Sequence, residues 1–561
     1  MSTTAAPSSL VECLTGLASG KKSSGSGAHH VLINALFSIK LEEVERMLPQ
    51  VVNVAVTHSC ESDECILLLR KFLVHLASRS MYLGMRLCWL LESCSSQFEA
   101  SEITRSRTLG LKESIKNAAV THAIEAESSS SETEHRAEMF HKQFSFIRSL
   151  TKISAKLAGV ADKTLRKSEL RKELDVLNKN LKPREILFPL AASNDSVRWI
   201  VRIVASECVV FSSRERAPYL LLVETVADPR LNYVDPCNTI PTDLRSEVSS
   251  EVGGNSGALE NATQEASIGL LSVVFGESSN ERRVRLRKLS PFGDDPTWDL
   301  KAMVIKAGDD LRQEEFALQL ISYFQHIWND EGITARTEPY AAISTDPSSG
   351  LIQCVTDALS IDSVKKAAQV QSMSQFFVKA YGGEGNALFS EAQRNFIESM
   401  AAYSVICYLL QIKDRHNGNL MLSRSGHLIH IDFGFMLATS PGGINFESAP
   451  FKLSQELVDV MGGVNSPQFS YFRVLLWASF RAVRDRSDEI LALVNLMVPQ
   501  TTIPCFGSDP TSVVNQLRQR FKEGLSDIQL AAEIKQMVDI SADNWRTRRY
   551  DQFQTWQNGI I

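Results

Sequence analysis

Between Ile412 and Gly434 the chain reads Ile-Lys-Asp-Arg-His-Asn-Gly-Asn, then an alternating hairpin, then Asp-Phe-Gly, and no other stretch restricts the fold as tightly. Asn419 to Ser423 reads as one strand, Arg424-Ser425-Gly426 as the turn and His427 to Ile431 as the return strand. A hairpin of that length brings its two ends together, so Asn419 and Asp432 can share one cation. An amide oxygen beside a carboxylate oxygen is a hard ligand pair suited to Mg²⁺, and such pairs hold the metal that bridges nucleotide phosphates. A purely structural hairpin accounts for the turn. It does not account for Asp414, for Asn419 five positions later and for the Asp432 triplet together.

A phosphate-binding loop of this kind needs a cationic counterpart. Leu300 to Lys306 reads as a strand, and a helix is predicted over Asp310 to Asn329, capped by Asp309 or Asp310. Lys306 at the strand end can neutralise phosphate charge, and Glu314 in the first turns of the helix can pair with it.

The chain has 561 residues, more than one core normally organises, which predicts two or three domains. Apolar residues make up 44% and charged residues 22%, a globular balance that excludes wholesale disorder. The net charge of -6 gives no global attraction to nucleic acid or anionic lipid, so any such contact must be local. No apolar run is long enough for a transmembrane segment and no secretory pattern opens the sequence, so the expectation is a cytosolic protein. The 10 cysteines form no CxxC pair and no zinc-finger spacing, and read as buried thiols of a reducing compartment.

The fold class is α+β: an N-terminal α-helical, solenoid-like domain, then two lobes, the first β-rich and the second helical. Residues 1–28 read as a disordered tail and 29–182 as the helical domain, with an acidic Ser-rich linker at 125–135. Residues 183–352 form the β-rich lobe, with strands at Trp199 to Val210 and Tyr219 to Val226 and a disordered insertion at 239–268. Residues 353–561 form the helical lobe, with the loop at 411–419, a second loop at 430–454 and a C-terminal amphipathic helix.

Asp414-Arg415-His416, an inverted order of the protein-kinase triplet, and the Gly-Asp-Asp-Leu-Arg-Gln run after Lys306 resemble the phosphatidylinositol 3-/4-kinase superfamily. Ser213 to Glu224, Pro450 to Gly463 and the helical stretch Phe140 to Leu181 are similar to its type III beta phosphatidylinositol 4-kinases. The resemblance covers roughly residues 30 to 561 apart from the linkers. It implies a two-lobed protein-kinase-like fold and transfer of the ATP γ-phosphate to the 4-hydroxyl of phosphatidylinositol, with Mg²⁺ or Mn²⁺ as cofactor. It also implies roles for single residues. Lys306 contacts the ATP phosphates with Glu314 orienting it; Asn419 and Asp432 bind the metal; Asp414, Arg415 and His416 are the catalytic triplet, of which Asp414 and His416 act near the attacking hydroxyl. Ser290, in Ser-Pro-Phe-Gly, belongs to the phosphate-covering loop, and Tyr340, Gln353, Val355 and Ile431 line the nucleotide pocket. Either Asp414 or His416 can serve as the base; a near-neutral imidazole suits that task as well as the carboxylate does. Gln353-Cys354-Val355-Thr356 departs from the family's usual Glu-Pro-Val-Val.

Phe433 to Phe451 contains no Lys or Arg and a single acid, Glu447. A headgroup already bearing ring phosphates would need cations there, whereas an unphosphorylated inositol would not. For membrane contact the candidates are the arginine cluster Arg282, Arg283, Arg285, Arg287 and Lys288, and the helix bearing Trp545, Arg546, Arg548, Arg549, Tyr550, Phe553 and Trp556. The aromatic residues of that helix could equally pack on the core. By resemblance the protein works peripherally at Golgi or other endomembranes, with a Rab-type small GTPase as a partner of the helical domain. Two rival readings are a kinase acting on proteins or on the 3-hydroxyl, and a catalytically silent scaffold.

Overall fold

Helices fill the first part of the chain because its apolar residues recur three and four positions apart. They run Leu41–Arg46, Leu48–Thr57, Glu64–Arg79, Met81–Ser93, Glu102–Val120, Ser130–Ala158 and Arg166–Asn180. Ser80 and Ser101 start two of them by accepting the N–H groups of Leu83 and Thr104. The computed structural model describes residues 14–15, 36, 39–58, 64–95, 101–121, 130–191, 196–211, 216–228, 269–443 and 447–561. The expected tail over 1–28, save Leu14 and Thr15, and the expected insertion over 239–268 lie outside the described residues.

Helix Ser130–Ala158 corrects the reading of 125–135 as a loop, since its last residues are helical; 122–129 lie outside the described residues. Phe140, Ile147, Leu150 and Leu157 bury one stripe of this helix. Once that stripe nucleates it, each further residue adds a hydrogen bond at little cost, so the helix extends back into the acidic stretch.

Seven strands follow: β1 (Ile186–Leu187), β2 (Arg198–Ile203), β3 (Val209–Val210), β4 (Tyr219–Ala227), β5 (Asp299–Ala307), β6 (Ala342–Asp346) and β7 (Ser349–Gln353). They form one antiparallel sheet in the order β1-β2-β4-β5-β7-β6, with β3 also paired to β4. The single strand expected over Trp199 to Val210 is therefore two. Ile203 pairs with Val223 and Val209 with Leu220, so residues 204–208 stand opposite only Leu221 and Leu222, and the surplus winds into a 3₁₀ turn at Ala205–Glu207. Helix Arg312–Asp330 packs on this sheet. The helix starts two residues later than expected, with Asp310 accepting the Arg312 N–H at 3.0 Å just ahead of its first turn.

The second lobe is built on helix Ala387–Leu410, buried over most of its length, with helices Pro467–Asp485, Pro510–Arg520 and Asp527–Ser541 among those around it. A small antiparallel sheet of β8 (Ala358–Ser360), β9 (Leu420–Ser423) and β10 (Leu428–His430) faces the first lobe. β9 and β10 are the predicted hairpin. Its turn requires Gly426, at φ +93, because a Cβ there would stand 2.6 Å from the Ala392 carbonyl oxygen.

The helical domain docks against both lobes through buried polar contacts. Tyr82 donates to the carbonyls of Pro189 and Ala191 at 2.9 and 2.7 Å. Asn53 donates to Leu496 O at 2.9 Å, and Gln50 to Gln319 Oε1 at 2.9 Å. Gln319 lies on the helix whose first turn carries Glu314, so the helical domain braces the element that enters the cleft.

Candidate active site

A cleft of 980 Å³ opens between the lobes, and Lys306, Glu314, Tyr340, Gln353, Val355, Asn419, Ile431 and Asp432 all line it. The upper wall follows from strand alternation in β5. Ala302, Val304 and Lys306 face the cleft while Met303 and Ile305 are fully buried on the other side. At the rear, Gln353 donates its N–H to Ala341 O at 2.7 Å and Cys354 donates to Ala302 O at 3.1 Å. The Val355 N–H has no acceptor among the described residues, which leaves it available to an adenine edge. The Gln353 side chain accepts the Ala341 N–H at 3.1 Å, so it supports the strand rather than projecting inward.

The expected ion pair of Glu314 with Lys306 is not formed among the described residues; other groups hold the carboxylate. Its Oε2 accepts the Phe433 N–H at 2.9 Å and its Oε1 accepts the Tyr340 hydroxyl at 2.8 Å. Burial pushes its carboxyl above the usual range, with the Lys306 ammonium opposing that rise. The neighbouring Gln313 donates to the carbonyls of Phe433 and Gly434 at 2.8 and 2.7 Å. One helical turn thus pins the Asp432-Phe433-Gly434 segment from above.

On the lower wall, Ile431 donates to Asn419 O at 3.1 Å, which brings the two ends of the hairpin together as expected. Asp414 and Asp432 both adopt the left-handed conformation, at φ +64 and +61. That conformation costs a non-glycine residue about 1–3 kcal/mol and persists only where the surroundings over-determine it. Asn419 Nδ2 donates to Asp414 O at 3.0 Å and to its Oδ2 at 3.3 Å. With its nitrogen committed, Asn419 presents only its amide oxygen to a cation. Together with the Asp432 carboxylate this fits Mg²⁺ or Mn²⁺ completed by phosphate and water oxygens. Among the described residues no group of three or more His, Cys, Asp or Glu side chains could hold a metal alone.

His416 Nδ1 accepts the Gly418 N–H at 3.1 Å, and a Cβ on Gly418 would touch the ring at 3.0 Å. A backbone N–H can only donate, so the neutral imidazole carries its proton on Nε2, 3.8 Å from Asp414 Oδ1. Burial holds this imidazole below its usual pKa and favours the neutral form.

Comparison with known proteins agrees with this geometry. The family described as phosphatidylinositol 3- and 4-kinase matches residues 301–506. The matched residues run from the strand that ends near Lys306 through and beyond the hairpin that leads to Asp432. A phosphatidylinositol 4-kinase of Dictyostelium discoideum is 44% identical over 290 residues, covering 52% of this chain and 24% of that protein. Phosphatidylinositol 4-kinase beta 1 of Arabidopsis thaliana is 39% identical over 66% of this chain and 34% of its own length. Phosphatidylinositol 4-kinase beta of Xenopus tropicalis is 28% identical, covering 95% of this chain and 80% of that protein. The chain thus spans only a quarter to a third of the first two relatives.

Three expectations need correction within and beside the cleft. Ser290 does not line the cleft. Its hydroxyl donates to the fully buried Glu224, which also pairs with Arg202 at 3.0 Å. The turn between β3 and β4 flanks the cleft instead, through Phe211 and Pro218, and its tip at 212–215 lies outside the described residues. Arg415 commits its guanidinium to the backbone: it is buried, donates to Ile431 O at 2.7 Å and to Asp432 O, and lies 5.7 Å over the Phe433 ring. It is a positioning residue for the Asp-Phe-Gly segment. The arginine cluster is mostly consumed locally: Arg285 pairs with Glu277 at 2.7 Å, Arg283 with Asp299 at 3.0 Å, and Arg287 donates to Gly293 O at 2.8 Å.

The sequence reading missed Gln313, Glu447 and the part played by Tyr550. Tyr550, on helix Trp545–Asn558, donates to Asp414 Oδ1 and receives Gln554 Nε2 at 2.9 Å. Phe553 and Trp556 on the same helix are exposed, at 48% and 83%, so they do not pack on the core. A lone acid in an otherwise uncharged loop was the available signal for Glu447.

Proposed function

We propose that the protein is a phosphatidylinositol 4-kinase that transfers the ATP γ-phosphate to the 4-hydroxyl of phosphatidylinositol, yielding phosphatidylinositol 4-phosphate. The observation that carries this reading is the convergence on one cleft of Lys306 from above and Asn419 and Asp432 from below, with Asp414 bonded to Asn419. The relatives' names supply the lipid class.

Lys306 would hold the phosphates and the Val355 N–H the adenine edge. A divalent cation held by Asn419 and Asp432 would neutralise the charge that develops on the transferring group. Asp414 is the better base of the two candidates, because the free edge of neutral His416 is an N–H donor. That N–H can orient the acceptor hydroxyl while Asp414 takes its proton. The unphosphorylated ring is supported by the activation loop, which offers no Lys or Arg between Phe433 and Phe451 to meet ring phosphates, and the 4-position by the relatives' names.

No helix among the described residues is long and apolar enough to cross a membrane. The exposed Trp545, Phe553 and Trp556 beside Arg546, Arg548 and Arg549 suit a peripheral seat on an anionic membrane. Work at the Golgi, and a Rab-type GTPase on the helical domain, rest on family resemblance alone. The test is incubation with ATP, Mg²⁺ and liposomes of phosphatidylinositol or its phosphorylated forms, with the deacylated product resolved by ring position. Product at the 3-position, or from phosphorylated lipids only, would sink the reading.

A further inference from the structure

The activation loop, 430–454, meets the catalytic loop, 411–419, at Glu447. Its Oε2 accepts the Asp414 N–H at 3.1 Å, while its backbone carbonyl accepts Lys413 Nζ at 3.1 Å. Lys413 is 8% exposed, and its own N–H donates to Phe435 O at 3.0 Å. Two consecutive residues of the catalytic loop are thereby fastened to two points of the activation loop.

The consequence falls on Asp414, whose left-handed backbone is disfavoured without support. Each of its polar groups is committed. The carbonyl accepts from Asn419, the carboxylate from Asn419 and Tyr550, and the N–H donates to Glu447. The Asn419 bonds belong to the metal-binding hairpin and the Tyr550 bond to the C-terminal helix. The peptide plane that sets the Asp414 φ of +64 is held at its carbonyl by Arg415 Nε, 2.9 Å from Lys413 O, and at its N–H by Glu447. Without it, a partly buried N–H loses its acceptor, which costs about 1–3 kcal/mol, and rotation about that φ relieves both the loss and the strain.

We propose that Glu447 is a positioning residue for phosphoryl transfer, which fixes the backbone of Asp414 and so aims its carboxylate at the acceptor hydroxyl. It touches neither nucleotide nor lipid. The role requires an acceptor oxygen at the end of a side chain of this length, and it does not require charge. This proposal rests on the reading of Asp414 as the base of a lipid kinase.

Steady-state kinetics on phosphatidylinositol liposomes, for the full chain and its Glu447→Ala and Glu447→Gln variants, test it together with thermal melting. Glu447→Ala is expected to lower kcat by roughly tenfold to a hundredfold, the scale of a small misalignment at a reacting group, with KM for ATP within about twofold. Glu447→Gln is expected to recover most of that loss, since its amide oxygen can accept the same N–H. Unchanged kcat in Glu447→Ala would overturn the proposal. Equal impairment of both variants would overturn it too, by assigning the effect to charge. A lowered melting temperature with a raised KM for ATP would reduce Glu447 to a structural role. If the wild type itself made no phosphatidylinositol product, or Asp432→Ala made as much, the lipid-kinase reading would fall and this proposal with it.

Discussion

The hydroxyl of Tyr550 donates to the carboxylate of Asp414 across 136 residues of sequence. The C-terminal helix thus occupies the oxygen that an acceptor hydroxyl must reach, and Lys452 pairs with Asp551 of the same helix at 2.7 Å. A substrate has to displace a hydrogen bond to a charged group, worth about 1.5–3 kcal/mol. Tyr550→Phe removes that competitor and is expected to raise kcat/KM for lipid by roughly threefold to tenfold. Assays on mixed micelles check this, and a fall instead would place Tyr550 in the working arrangement.

Asp432 presents its carboxylate at the mouth of the hairpin and packs little. Asp432→Ala is expected to lower turnover by about 10²- to 10³-fold or more. Its melting temperature should stay close to wild type. Activity across a Mg²⁺ titration is the measurement: a midpoint moved to higher metal supports the ligand role, and unchanged turnover with an unchanged midpoint would contradict it.

Glu315, next to Glu314, points the other way, accepting the Ser344 N–H at 3.1 Å. Burial pushes its carboxyl up to about 7 from an ordinary 4.5, with Arg86 of the helical domain opposing the rise. The folded state therefore binds this proton more tightly than the unfolded chain. Its cost is absent below 4.5, grows as pH rises and is complete above 7. Glu315→Gln keeps the acceptor without the charge and should stabilise the fold by up to about 3 kcal/mol at high pH. Melting curves at about pH 8 and pH 4 decide it, because the gain should vanish at the lower value.

Gly426→Ala meets both a positive φ and a carbonyl oxygen 2.6 Å from the new Cβ. A loss of about 2–4 kcal/mol is expected. Because the hairpin sets Asn419 against Asp432, activity should fall below what lost stability alone explains. Kinetics well under the melting temperature separate the two effects.

The sequence by itself determined the local units. Alternation in β9 and β10 with glycine at the turn, the strand ending at Lys306 and the amphipathic helix after it are periodicities that the backbone converts directly into elements. Asn419 and Asp432 were legible as a pair because a hairpin of known length joins them. Tertiary structure alone decided which polar groups meet across long separations. Ser290 looked like a phosphate-loop residue until Glu224, buried on β4, took its hydroxyl. Arg415 looked catalytic until the Ile431 and Asp432 carbonyls claimed it. Neither contact has a sequence period, since hydrogen bonds of buried side chains are chosen by whatever donor or acceptor the packed fold leaves unsatisfied. The same reason governs Glu447 and Tyr550, whose roles arise only where the activation loop and the C-terminal helix close on Asp414.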